Sequence, residues 1–171
     1  MKNGLGVRRR LALDMFSSIE DKRIAAHELR TIMWEATLRC NLACRHCGSD
    51  CRSEAAVPDM PAADFLRTID TITPHVVPNR VLIVITGGEA LMRRDIEEVG
   101  RALYDRGYPW GIVTNGMLLD ERRLESLLRA GLHTATVSLD GFAETHNRIR
   151  RNERSYERAL GALRLLARQP D

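Results

Sequence analysis

"RVLIVITGGE" (residues 80–89) is apolar at every position from Val81 to Ile85, rich in β-branched residues, and broken by two glycines. A strand with one wet face alternates apolar and polar residues. A run with no alternation suits a strand buried on both faces, as in a parallel sheet. Downstream, "DIEEVGRALYDRG" (95–107) sets Ile96, Val99 and Leu103 on one helical stripe, with Gly107 at the C-terminal cap. Upstream, "PAADFLRTIDTI" (61–72) puts Phe65, Leu66, Ile69 and Ile72 on one helical face.

The alternation extends both ways. "TIMWEATL" (31–38) reads as a first strand and "WGIVTNG" (110–116) as a third, ending in an Asn-Gly turn. "LLDERRLESLLRAG" (118–131) is a helix with Asp120 as N-cap, a Leu119–Leu124 staple and a closing Gly131. "TATVSLDG" (134–141) is the fourth strand, and "SYERALGALRLLAR" (155–168) a helix with Ser155 as N-cap. An Arg-rich helix over about 8–28 precedes them all. Such strand–helix units imply right-handed crossovers and an α/β fold with a parallel sheet. Ligand sites in these folds lie at the C-terminal strand ends. Here those ends carry a cysteine loop, "GGE", "TNG" and "SLDG".

Composition narrows the class. The chain has 171 residues, 44% hydrophobic and 29% charged, as an ordinary globular domain does. Net charge is +3, and with aromatics at 5% the basic runs "RRR" (8–10) and "RIRRNER" (148–154) read as solvated surface, not a nucleic-acid face. No apolar run approaches the roughly 18 residues of a membrane span. The basic N-terminus carries an apolar stretch that Asp14 interrupts, too short for a signal peptide. A cytoplasmic protein is expected, where clustered cysteines lean to metal or redox chemistry rather than disulfides.

All four cysteines lie in "LRCNLACRHCGSDC" (38–51). Cys40, Cys44 and Cys47 follow C-x3-C-x2-C. Three thiolates on one loop can hold three irons of a cubane and leave the fourth iron without a protein ligand. The alternative is a non-catalytic metal-binding module: zinc, with Cys51 or His46 as fourth ligand, or an electron-transfer cluster. Structural zinc prefers two separated ligand pairs, and no second pair follows.

"CNLACRHC" after the first strand, "GGE" after the second and "SLDG" after the fourth together resemble the radical S-adenosylmethionine (SAM) superfamily, over about residues 32–168. The nearest resemblance is to its SPASM-type branch, and "WEATLRCNLACRHCGSDC" is similar to the radical SAM proteins paired with lipoproteins. The resemblance implies a partial, TIM-like (β/α)6 barrel that binds a [4Fe-4S] cluster and SAM. It also implies generation of a 5′-deoxyadenosyl radical for hydrogen abstraction, with a peptide or protein substrate and a flavodoxin- or ferredoxin-type electron donor. No nucleic-acid partner is expected.

The resemblance assigns Cys40, Cys44 and Cys47 to the cluster and Gly87, Gly88 and Glu89 to the methionine amino group; Ala90 stands where the family often has Pro. Ser138 matches a SAM-contacting position. In "SLDGFAETHNRIR", Arg150 matches the arginine that pairs with the SAM carboxylate, although Asn147 replaces the usual Asp. His46 occupies the place of an aromatic residue near the adenine. Asn115 either faces SAM or serves its turn.

The remaining candidates receive structural readings. Cys51 is a free thiol or helix-start residue, and Asp140 belongs to an Asp-Gly turn. His75, His133 and His146 lack mutual ligand spacing, and Trp34 and Trp110 are core. Residues 1–30 are expected to form a basic helical extension packed on the barrel, and 31–171 an incomplete radical SAM core. The family barrel has six strand–helix units and this sequence carries four. A truncated product, a partial sequence and a half-barrel completed by another chain compete, the last disfavoured by the parallel edge it would expose.

Overall fold

A computed structural model describes residues 6–169. Residues 1–5 of the expected N-terminal extension, and the last two residues, lie outside that range. The chain divides into two compact units, Met1–Arg30 and Thr31–Asp171.

The first unit carries helix α1 (Val7–Ala25), somewhat shorter than the 8–28 expected. Its apolar residues are spread around the helix rather than gathered in one stripe. Lys22 and Arg23 occupy the last turn, where cations complement the carbonyl end of the dipole.

The second unit contains β1 (Thr31–Glu35), α2 (Ala62–Ile72), β2 (Leu82–Thr86), α3 (Ile96–Asp105), β3 (Trp110–Thr114), α4 (Glu121–Arg129), β4 (Leu132–Val137), α5 (Ala143–Arg150) and α6 (Ser155–Leu166). The strands form one open sheet in the order β1-β2-β3-β4, every pair parallel. Met33 faces Val84, Val84 faces Gly111 and Gly111 faces Thr134 across the ladder. This is the α/β arrangement of four parallel strands that the apolar runs imply, in the open form expected of a partial TIM-like barrel from the resemblance.

The buried core lies on the helix side of the sheet. Ile83, Ile85 and Trp110 have no exposed surface, and Phe65, Ile69, Val99, Leu103, Leu124 and Leu127 pack against them from the helices. Burying one Ile or Leu completely contributes about 1.5–3 kcal/mol. Trp110 fits only because α3 offers Gly100: a Cβ there would lie 2.2 Å from the indole ring. Trp34 stacks on Phe65 with ring centroids 3.9 Å apart, and the Arg93 guanidinium sits 4.9 Å from the Trp34 ring. The other sheet face is wetter, with Met33, Thr134 and Thr136 exposed.

Local signals behave as the residues dictate. The Asp120 side chain caps α4 by accepting from the Arg123 N–H at 2.7 Å, and Leu119 and Leu124 are both buried. Gly107 and Gly131 take positive φ beyond the ends of α3 and α4. Two details differ from expectation. Ser155 is the first residue of α6, not its cap; its hydroxyl donates to Asn147 Oδ1, which also accepts from the Tyr156 N–H at 2.9 Å. The segment after "SLDG" is itself a helix, α5, so two helices follow β4.

Candidate cofactor site

Four strand ends meet around one cavity of about 200 Å³, lined by Cys40, Cys44, Cys47, Gly88, Ser138 and Arg150 among others. Each strand contributes through the backbone that leaves it.

After β1 the chain enters the cysteine loop. An isolated bridge joins Arg39 and Arg52, and the Cys40 N–H donates to the Arg52 carbonyl at 2.6 Å, so the loop closes on itself. Cys40 is buried, Cys44 half-buried and Cys47 exposed. Cys40 and Leu42 pack with Cys51, Leu38, Cys44 and Met117 as an apolar wall.

After β2, Gly87 and Gly88 lie directly against that loop. A Cβ on Gly87 would meet the Thr37 oxygen at 2.3 Å, and one on Gly88 the Arg39 oxygen at 2.3 Å. The Gly88 N–H donates to the Thr37 carbonyl at 2.7 Å and the Glu89 N–H to the Arg39 carbonyl at 2.9 Å. The glycines are therefore required for backbone contact before any ligand is considered. Among the described residues, the carbonyls of Gly87 and Gly88 accept no hydrogen bond, which leaves them as acceptors for an ammonium group.

Glu89 is not among the cavity's lining residues, but its partners Thr114 and Asn115 are. Glu89 is 1% exposed, and its carboxylate accepts from the Thr114 hydroxyl, the Asn115 N–H and the Leu91 N–H. Burial raises its pKa, and these donors oppose the rise.

After β3, the Asn115 side chain serves its turn and also lines the cavity. Oδ1 accepts from the Met117 N–H at 2.9 Å, an Asx-type turn. Nδ2 donates to Asn41 Oδ1 at 2.8 Å and lies 3.8 Å from Cys40 Sγ.

After β4, Ser138 lines the cavity and Asp140 joins a charged cluster with α5. Arg150 Nε donates to Asp140 Oδ2 at 2.5 Å, and His46 Nε2 lies 3.5 Å from Asp140 Oδ1. His146, 1% exposed, accepts the Asp140 N–H on Nδ1 at 3.2 Å. Hydrogen bonding to Arg150 lowers the Asp140 pKa. Sequence reasoning left Asp140 to its turn and His146 without a role, and the structure corrects both. One signal was available: His146 and Arg150 are four apart, on one helical face.

The thiols are not equivalent. Burial raises the pKa of Cys40. It also raises that of Cys44, although the nearby Arg150 guanidinium opposes the rise. The Cys51 N–H, 3.4 Å from Cys47 Sγ, lowers the Cys47 pKa. Burial, then the neighbouring Cys47, pushes Cys51 up to about 11. No helix begins at Cys51.

The donor set fits a cubane. Among the described residues no three His, Cys, Asp or Glu side chains are gathered as a single ion would need. All four thiols line one cavity, and three of them suffice, one for each of three irons.

The chain belongs to the radical SAM superfamily, whose profile matches residues 34–169. Members of that family bind a [4Fe-4S] cluster and SAM, and the relatives this chain matches are enzymes. An AdoMet-dependent heme synthase of Methanosarcina barkeri is 34% identical over 138 residues, 80% of this chain and 39% of its own length. A PqqA peptide cyclase of Granulibacter bethesdensis is 29% identical over 136 residues, 79% of this chain and 36% of its own. Streptococcus suis SuiB, in crystal structures with S-adenosylmethionine and with precursor peptide SuiA, shares the fold. The TM-score is 0.62 in both, at 16% identity, covering 95% and 92% of this chain and 36% and 35% of SuiB. The chain thus spans about two fifths or less of the length of the relatives it matches. No helix among the described residues is long and apolar enough to cross a membrane.

Proposed function

We propose that Cys40, Cys44 and Cys47 hold a [4Fe-4S] cluster, that SAM binds beside it, and that the protein generates a 5′-deoxyadenosyl radical for hydrogen abstraction. The observation that carries this reading is the shared cavity, where the thiols of the cysteine loop meet Gly88, Ser138 and Arg150 from the other strand ends. A reduced cluster of this type supplies one electron, which cleaves the sulfonium carbon–sulfur bond of SAM.

The chain's own residues position and shield. The free carbonyls of Gly87 and Gly88 suit the methionine ammonium, and Arg150 suits its carboxylate. Ser138 adds a hydroxyl at the cavity wall. Glu89, which accepts from Thr114, Asn115 and Leu91, fixes the β2 and β3 ends. Asn115 directs an amide towards Cys40 sulfur, the kind of contact that tunes a cluster's potential. His46 lies at the rim, exposed enough to stack on an adenine.

We place residues 1–30 as a basic helical extension and 31–171 as the radical SAM core. A peptide or protein substrate is supported by the resemblance to the PqqA peptide cyclase; the heme synthase relatives name the competing class. A flavodoxin- or ferredoxin-type protein is the partner that would deliver the electron. Four free thiols suit a reducing, cytoplasmic setting. The test is anaerobic reconstitution followed by iron and sulfide analysis and equilibrium SAM binding. About four irons per chain and saturable binding are expected; one tightly held zinc would overturn the reading.

A further inference from the structure

Asp140 sits where three parts of the site converge. Its carboxylate accepts from Arg150 Nε at 2.5 Å and lies 3.5 Å from His46 of the cysteine loop. Its backbone N–H is held by the buried His146. A further bond, from the Arg45 N–H to the Ile149 carbonyl at 2.9 Å, docks the same loop on the same helix. A turn needs none of these contacts from its side chain.

Arg150 needs such a partner. Its side chain is 11% exposed and stands next to Cys44, where cluster-bound thiolates would attract it. A guanidinium has five donors in a fixed fork. With Nε taken by an acceptor, the edge of the two terminal nitrogens is available as a flat, bidentate seat for a carboxylate.

We propose that Asp140 is the positioning residue that aims Arg150 at the carboxylate of SAM. The idea rests on the SAM-binding reading above. It opposes what charge alone predicts. Asp140 is an anion close to an incoming anion, so by simple electrostatics its neutralisation would tighten binding. Orientation predicts the reverse.

The experiment compares two ligands, SAM and decarboxylated SAM, binding to reconstituted wild type, Asp140→Asn, Arg150→Gln and the double variant. Iron content and circular dichroism monitor the cluster and the fold. Asp140→Asn should weaken SAM roughly ten-fold or more, the scale of a charge-assisted hydrogen bond, and leave decarboxylated SAM unaffected. In the Arg150→Gln background it should add little, because Asp140 acts through Arg150. Tighter or unchanged SAM binding, or equal losses for both ligands, would overturn the proposal. If Asp140→Asn does not fold, Asp140→Glu keeps the charge and shifts its position; undiminished SAM selectivity there would likewise overturn it. Wild type that holds a cluster but does not bind SAM would sink the cofactor reading itself, and this inference with it.

Discussion

Glu89 and Asn115 are joined across the sheet: the carboxylate of the first accepts the backbone N–H of the second at 2.7 Å, in a place closed to solvent. Thr114 donates its hydroxyl to the same carboxylate, also at 2.7 Å. The acid that ends β2 therefore fastens the end of β3 and fixes where the Asn115 side chain points.

Glu89→Ala leaves buried donors without an acceptor. A loss of about 2–4 kcal/mol in apo-protein stability is expected, with Glu89→Gln intermediate because one amide oxygen still accepts. Urea unfolding of the apo variants checks it. A stable Glu89→Ala variant with weakened SAM binding would instead put the carboxylate in direct contact with the ligand.

The cysteines divide three to one. Cys44→Ala should lose most of its reconstituted iron, while Cys51→Ala should keep it, since Cys51 lies outside the C-x3-C-x2-C run and its thiol donates to the Ser49 carbonyl. Iron analysis after desalting decides. Equal losses would place Cys51 among the ligands.

Arg93, 4% exposed, donates to both Asp95 oxygens and to the Ala36 and Met60 carbonyls. The hydrogen bonds from Arg93 lower the Asp95 pKa. A depressed carboxyl stabilises the fold above its unfolded pKa of about 3.9, and that contribution disappears as pH falls through the folded value. Asp95→Asn should be less stable at neutral pH and show a flatter stability profile below about pH 5. Denaturant unfolding of apo protein across that range checks both; parallel profiles would remove the pair from the acid response.

Strand order and the ring of strand ends were legible because an apolar run without alternation leaves a chain few alternatives to a parallel strand. The cysteine spacing was legible because three ligands on one loop need only local geometry. Side-chain direction was not. "GGE" names an acid but does not say that the end of β3 will present two donors to it. Asp140 and Arg150 are ten residues apart, and only the turn of α5 brings them together. Asn147 looked like a departure from a family pattern. Its amide donates to the Glu153 carbonyl while its oxygen accepts from Ser155 and Tyr156, a combination an ionised Asp could not supply.

Electron paramagnetic resonance of the anaerobically reconstituted, reduced protein, recorded with and without SAM, tests the central claim most directly. A [4Fe-4S] signal that changes shape on adding SAM is predicted, because the iron without a cysteine ligand is the one SAM reaches. A cluster signal indifferent to SAM, or no cluster in a soluble, folded protein, would contradict it.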